Sequence, residues 1–136
     1  KVAVKRSPTG LGLYAAEPIK KGQYVIEYVG PIINNKQVEE IGGRYLFEIN
    51  SRKTIDGSSR KNVARYINHS CRPNCDIEIK KDHVYIVAKK SIEPGQELNY
   101  DYGKEYFNEW IKPFGCLCAH CVAKRKEERK QNKLKR

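Results

Sequence analysis

Short extended runs closed by Gly/Pro turns, with little room for a long helix, constrain this chain most. Residues 24–29 (Tyr-Val-Ile-Glu-Tyr-Val), 45–49 and 84–88 are rich in β-branched and aromatic residues and read as strands. Residues 75–79 alternate apolar and polar, and Lys80-Lys81-Asp82-His83 predicts a hairpin turn into the next strand. Lys20-Lys21-Gly22 and Glu93-Pro94-Gly95 are turn signals. Ahead of the C-terminal tail, helical patterning is confined to about 35–41 and 104–111. The expected architecture is mainly β, with many short strands and a few short helices. One echo stands out: Ala15…Ile19-Lys20-Lys21-Gly22-Gln23 resembles Ala88…Ile92-Glu93-Pro94-Gly95-Gln96. It is too short for a repeat and predicts two strands entered through similar turns.

The 136 residues are enough for one domain with its own core. No run of about twenty apolar residues predicts a membrane-spanning helix, and no secretory signal is visible. The lack of any Met is expected of a trimmed or processed chain, or an excerpt of a longer one. The net charge of +11 favours an anionic partner such as nucleic acid. Much of the charge lies in residues 123–136, a basic, polar tail expected to be a solvated helix or a disordered end. The five cysteines are odd in number, and Cys116, Cys118 and Cys121 crowd into one segment. A disulfide framework spreads and pairs its cysteines, whereas crowding fits a metal site in a reducing compartment. A secreted disulfide-rich module is excluded on the same ground.

Residues 65–75, Arg-Tyr-Ile-Asn-His-Ser-Cys-Arg-Pro-Asn-Cys, are denser in hydrogen-bonding side chains than a plain loop or strand. They are preceded by Gly10-Leu11-Gly12 and followed by Glu97-Leu98-Asn99-Tyr100-Asp101-Tyr102-Gly103. Alone, a glycine pair is usually a turn, and two tyrosines two residues apart are usually one face of a strand. In this order and spacing, the blocks resemble those of SET-domain protein lysine methyltransferases. The likeness runs from about Lys5 to Cys121 and includes Thr9 to Ala15, Glu27-Tyr28-Val29-Gly30 and the whole signature block. Ile55-Asp56-Gly57, leading into 62–74, is closest to the trithorax-like and related branches.

The resemblance implies a SET fold over 1–111, small curved sheets around a knot-like core, in which the Asn68-His69 segment threads beneath the loop holding Tyr100-Asp101-Tyr102. True threading is rare, so these blocks are expected to meet at an active site. It also implies a zinc-binding post-SET segment over 112–122, before the tail at 123–136. S-adenosylmethionine is the implied methyl donor and a lysine side chain the acceptor. By carry-over, Tyr102 is the tyrosine beside the transferring methyl, Tyr45 lines the lysine channel and Tyr100 tunes the number of methyls added. Gly10, Leu11, Gly12, Arg65, Asn68, His69, Tyr102 and Leu117 are the implied cofactor contacts. A free lysine has a pKa near 10.4, so deprotonation at pH 7 costs about 4–5 kcal/mol. A desolvating channel beside a sulfonium lowers that cost, and alignment can be worth about 7–11 kcal/mol. No strong general base is needed.

Cys71, Cys116, Cys118 and Cys121 are the implied ligands of one structural zinc, leaving Cys75 as a spare thiol. The sequence Cys118-Ala119-His120-Cys121 is two residues shorter than the usual spacing, which makes His120 a competing ligand. The bland alternative is three reduced cysteines packed in a small core. The expected substrate is a histone or other basic protein, mainly monomethylated. Glu48, Asp76, Glu78, Glu105 and Glu109 are candidate acids to receive it. The rival function is a catalytically inactive, zinc-stabilised chromatin or nucleic-acid binder, argued from the charge and the tail. Against it stand the retained Tyr102, Asn68 and His69, and a tail with no aromatic residues for base stacking. The tail could still contact nucleic acid near a histone substrate. The expected compartment is intracellular: nuclear or chromatin-associated if eukaryotic or host-directed, otherwise cytoplasmic.

Overall fold

The computed structural model describes residues 1–103, 111 and 115–134. Hairpin β1 (Val2–Ser7) and β2 (Gly10–Ala15) turns through Pro8 and Thr9, with Ser7 opposite Gly10. Gly10 has φ +119°, a region that favours glycine. Strand β3 (Tyr24–Tyr28) joins a three-stranded antiparallel sheet, ordered β3-β9-β8, with β8 (Cys75–Lys80) and β9 (His83–Ala88). The β8–β9 turn is the predicted one: Lys81 and Asp82 both take left-handed φ, 48° and 66°, the requirement of a tight two-residue hairpin. A second sheet, ordered β4-β6-β5, comprises β4 (Ile32–Ile33), β5 (Leu46–Glu48) and β6 (Thr54–Asp56).

Helix α1 (Asn35–Ile41) has the expected bounds. Its start is a capping box: the Gln37 N–H donates to Asn34 Oδ1, and the Asn34 N–H donates to Gln37 Oε1, both at 2.9 Å. None of its residues is buried, so capping and local bonds hold it rather than core packing. The helix expected over 104–111 lies outside the described residues. Helix α2 (Ala119–Leu134) begins within the cysteine segment and continues through most of the basic tail. No described helix is long and apolar enough to cross a membrane.

The echo between the turns at 20–23 and 93–96 has a physical basis. Ile19 and Ile92 exchange backbone hydrogen bonds at 2.8 and 2.9 Å. The Ala15 N–H donates to the Gln96 carbonyl while the Gly95 N–H donates to the Ala15 carbonyl; Ala88 makes the matching pair with Gln23 and Gly22. Each turn is clasped by its own glutamine, Gln23 Oε1 on the Lys20 N–H and Gln96 Oε1 on the Glu93 N–H. Gly22 and Gly95 sit at φ +86° and +88°. Each turn thus bonds to the strand that precedes the other, which joins the ends of β2 and β9 at the core, where Leu13, Ile67, Ile86, Ile92 and Leu98 are fully buried.

Candidate active site and metal centre

The signature block starts as a one-turn 3-10 helix (Val63–Tyr66) and straightens into β7 (Asn68–His69). This two-residue strand pairs in parallel with β10 (Asn99–Tyr100), Asn68 opposite Asn99 and His69 opposite Tyr100. Parallel pairing cannot come from a tight hairpin, so distant segments must be held from the side. Asn74 does this: its N–H donates to Asn99 Oδ1 at 2.9 Å, its Oδ1 accepts the Asn99 N–H at 3.0 Å, and its Nδ2 donates to the Glu97 carbonyl. This clamp between the two motifs was not singled out from the sequence, although both residues lay inside the quoted blocks.

The pairing delivers side chains into one cleft of about 1890 Å³. Of the expected site residues, Tyr45, Tyr100, Tyr102, Leu11, Arg65, Asn68, His69 and Leu117 line it. Gly10 and Gly12 do not. A side chain at Gly12 would meet Glu97 Oε2 at 2.5 Å and Asn68 Nδ2 at 3.2 Å, so this glycine admits the Asn68–Glu97 hydrogen bond of 2.7 Å beneath the cleft wall. Asn68 Nδ2 also donates to the Leu11 carbonyl at 3.0 Å, tying the glycine loop to β7.

The tyrosines occupy distinct settings. The Tyr100 ring is buried and lies 4.9 Å from the Tyr102 ring. The Tyr102 hydroxyl donates to the Ile67 carbonyl, and its N–H donates to His69 Nδ1 at 3.1 Å. Tyr45 is covered by the Arg65 guanidinium, 4.1 Å from the ring centre. Arg65 also donates to the Ser58 carbonyl at 2.6 Å, and its hydrogen bond to Tyr45 raises its pKa against the opposing effect of burial. Tyr28, whose role the sequence did not disclose, donates its hydroxyl to the Tyr45 carbonyl at 2.8 Å. Fully buried Asn62 ties the Val29 N–H to the Gly57 carbonyl.

Of the candidate acids, Glu48 lines the cleft. Asp76 and Glu78 lie on β8 outside its lining, with Glu78 3.2 Å from Lys80. Glu105 and Glu109 lie outside the described residues.

The Cys71, Cys116, Cys118 and Cys121 sulfurs all lie within 4.8 Å of one another. Cys71 is 3.9 Å from Cys116 and 3.5 Å from Cys121. Tetrahedral zinc with bonds of about 2.3 Å would space its sulfurs at about 3.8 Å, so the four residues fit such an ion. All five cysteines are free thiols, and Cys75 is buried in the body, outside the group. His120 does not join the ligand cluster. Burial pushes the Cys71 thiol far up and Cys116 to about 11. For Cys118, burial also acts upward, but hydrogen bonds from the Cys71 and Cys121 backbones and neighbouring thiols outweigh it, giving about 7.

A profile of the SET domain matches residues 10–103. This chain belongs to the SET-domain family. Its β7–β10 pairing and clustered cysteines are therefore those of a SET domain followed by a cysteine-bearing segment. The SET chain is 40% identical over 126 residues to human "Histone-lysine N-methyltransferase 2D", covering 84% of this chain and 2% of that protein. It is 36% identical over 129 residues to "Histone-lysine N-methyltransferase ASHH1" of Arabidopsis thaliana, covering 85% and 26%. A Schizosaccharomyces pombe protein, "Histone-lysine N-methyltransferase, H3 lysine-4 specific", is 40% identical over 122 residues, covering 80% and 13%. The chain thus spans only a small part of the length of these relatives.

Proposed function

We propose that this SET domain is an S-adenosylmethionine-dependent protein-lysine N-methyltransferase acting on a histone or other basic protein, mainly as a monomethylating enzyme. The observation that carries this reading is the convergence of Tyr45, Tyr100 and Tyr102 on one cleft whose apolar rim includes Leu11 and Leu117, 49% and 57% exposed. Large apolar side chains that stay uncovered at a cleft mark a binding surface, here for the flat apolar part of the methyl donor. Aromatic faces and carbonyl oxygens suit a sulfonium. When bound, that donor supplies an electrophilic methyl group.

The residues supply alignment and desolvation. In this reading the Tyr102 hydroxyl, oriented by the Ile67 carbonyl, would offer its oxygen to the polarised methyl of a bound donor through a C–H···O contact. The Arg65 guanidinium over Tyr45 stiffens the lysine channel and adds a positive charge that favours a neutral incoming amine. Glu48, which lines the cleft, is in this reading the carboxylate that receives a basic peptide. Zinc at Cys71, Cys116, Cys118 and Cys121 would hold the cysteine segment, with Leu117, against the cleft.

The test is Tyr102→Phe: turnover on histone peptide should fall by about 10²–10³, while calorimetric affinity for S-adenosylmethionine changes little. Wild-type turnover in the variant would remove Tyr102 from the chemistry. The retained cleft geometry favours this reading over an inactive binding module.

The similarity to histone-lysine N-methyltransferases motivates a chromatin setting. Helix α2 supplies a second contact in this reading: Lys124, Lys126, Arg129 and Lys130 are exposed, while Arg125 turns back to the Cys116 carbonyl. Of these, Lys126, Arg129 and Lys130 share one helix face by their i, i+3, i+4 spacing, and such a face would bind phosphates without reading sequence. Truncation after Arg125, which keeps the Arg125 bond to the Cys116 carbonyl, should leave peptide activity intact and lower nucleosome activity at low salt, a loss that shrinks as salt rises. Equal loss on free peptide would assign the helix to the catalytic fold.

A further inference from the structure

His69 engages both ring nitrogens, each toward a different part of the molecule. The Tyr102 N–H lies 3.1 Å from Nδ1. A backbone N–H can only donate, so Nδ1 presents its lone pair and the ring proton sits on Nε2. Nε2 lies 3.3 Å from Cys71 Sγ and therefore donates to that sulfur. The side chain is only 5% exposed, and its ring meets the Tyr102 ring edge-on at 5.4 Å. Asp101 Oδ1, at 3.8 Å from Nδ1, is beyond hydrogen-bond length. A rigid five-membered ring thus spans the gap between a candidate metal-binding sulfur and the backbone of the tyrosine at the cleft.

We propose that His69 is a positioning residue that transmits metal occupancy at Cys71 to the Tyr102 backbone. This rests on the zinc and Tyr102 assignments above. A sulfur bonded to a metal carries more charge and no proton, so it accepts the Nε2–H more strongly than a thiol does. Loading the four-cysteine site therefore tightens the Nε2–H···S bond, fixes the ring plane and aims Nδ1 at the Tyr102 N–H. Partners beyond the first ligand shell commonly orient metal ligands and tune them by about 10–100-fold in affinity. Here the same contact runs inward as well, from the metal to the cleft. The cysteine segment would then do more than close the cleft wall: it would set the register of Tyr102 from beneath.

The test uses the full chain labelled with nitrogen-15 and loaded with zinc or cadmium-113. In wild type, the Tyr102 amide resonance should move on metal removal far more than that of Val84, in the remote sheet. A cadmium coupling to the His69 Nε2–H should also be visible across the hydrogen bond. His69→Asn keeps a carbonyl oxygen near the Nδ1 position but has nothing that reaches Cys71. It should still give a four-sulfur cadmium resonance, hold metal about tenfold less tightly against a chelator, and leave the Tyr102 amide nearly indifferent to metal. His69→Gln can reach toward the sulfur but not accept at Nδ1; it should recover most of the metal affinity without recovering the Tyr102 response. Absence of a four-sulfur cadmium resonance in wild type would overturn the metal reading and this inference with it. A four-sulfur resonance with no cadmium coupling to His69, or an equal Tyr102 response in wild type and His69→Asn, would overturn the inference alone. The wild-type measurements decide the matter even if a variant fails to fold.

Discussion

The two regions that wall the cleft are ordered by different means. The body, through Gly103, has a contiguous core in which Leu13, Ile67, Ile86, Ile92 and Leu98 are fully buried, and its strands and turns are closed by backbone bonds. The arm at 115–134 has only Cys116 buried among its described residues, and α2 has none. Sulfur contacts and the Arg125 bond to the Cys116 carbonyl tie the arm down. Full burial of one large aliphatic side chain is worth about 1.5–3 kcal/mol, and the body has many such terms. The arm has almost none, whereas a structural zinc site is worth about 10–16 kcal/mol in small peptides. The difference teaches that one cleft can have a wall made by hydrophobic burial and, among the described residues, a facing wall with little burial of its own, for which the clustered cysteines offer a metal-held alternative.

The largest expected effect falls on the body. Ile86 is fully buried in the central strand of its sheet, opposite Ile26 and Ile77. Ile86→Ala should cost about 2–5 kcal/mol in urea unfolding, from lost transfer energy and the cavity left behind. Metal content of the protein that remains folded should be unchanged. A cost under about 1 kcal/mol would mean that the core is not what holds the body.

Next comes the arm. Stripping the metal, or Cys116→Ser, should lower methyl transfer by about 10–100-fold or more while the body's unfolding transition barely moves. Cys75→Ser should retain metal and activity, because Cys75 is buried outside the sulfur cluster. Thiol labelling maps the same boundary. In metal-free protein at pH 7, Cys118, with a pKa near 7, is about half thiolate and should alkylate first. Raising the pH from 6 to 8 should speed it toward a plateau. Cys75, pushed up to about 11 by burial, should stay slow throughout. Metal loading should protect the four clustered thiols together. If the body melted along with metal loss, the two walls would not be independent.

The same division explains what the sequence made legible. The hairpin turn at Lys81-Asp82, helix α1 and the strands of the three-stranded sheet carry local signals, and their observed bounds agree with the pattern to within a residue or two. The likeness of the turns at 20–23 and 93–96 was visible, but their mutual hydrogen bonding joins segments far apart and has no local signature. The crowding of Cys116, Cys118 and Cys121 is visible in the sequence itself, whereas the meeting of Asn68-His69 with Tyr100 and the addition of Cys71 to the cysteines came from family resemblance, not periodicity. The Asn74–Asn99 clamp, the cover of Arg65 on Tyr45 and the bridge through His69 are products of side-chain packing across the fold. Their residue types alone do not announce them. Gly12 shows a different case: the resemblance marks it as a cofactor contact, and the fold adds a packing reason for glycine there, since Glu97 and Asn68 need the room.

The smallest effect, and the sharpest test of how the two walls cooperate, is on product. Tyr100 belongs to the body wall: its ring is buried against Tyr102 and its backbone lies in β10, paired to His69. In the proposed reading its hydroxyl holds a water beside the acceptor amine. That water fills the space a second methyl needs, and its hydrogen bond orients the lone pair. After one transfer the amine must rotate, and its methyl must displace the water. Losing a well-held water without replacing its bonds costs free energy, and about 1.4 kcal/mol suffices to slow a second transfer tenfold. Tyr100→Phe removes the hydroxyl and little else, so total turnover should persist while the product moves from monomethyl toward di- and trimethyl-lysine. Mass spectrometry of a histone peptide over time reads this directly. Because the device belongs to the body, the shift should survive truncation of the basic helix after Arg125, which leaves the Arg125 bond to the Cys116 carbonyl in place. Rapid trimethylation by wild type, or an unchanged product ratio in Tyr100→Phe, would move product control to the Tyr45 side, where the Arg65 guanidinium lies over the ring.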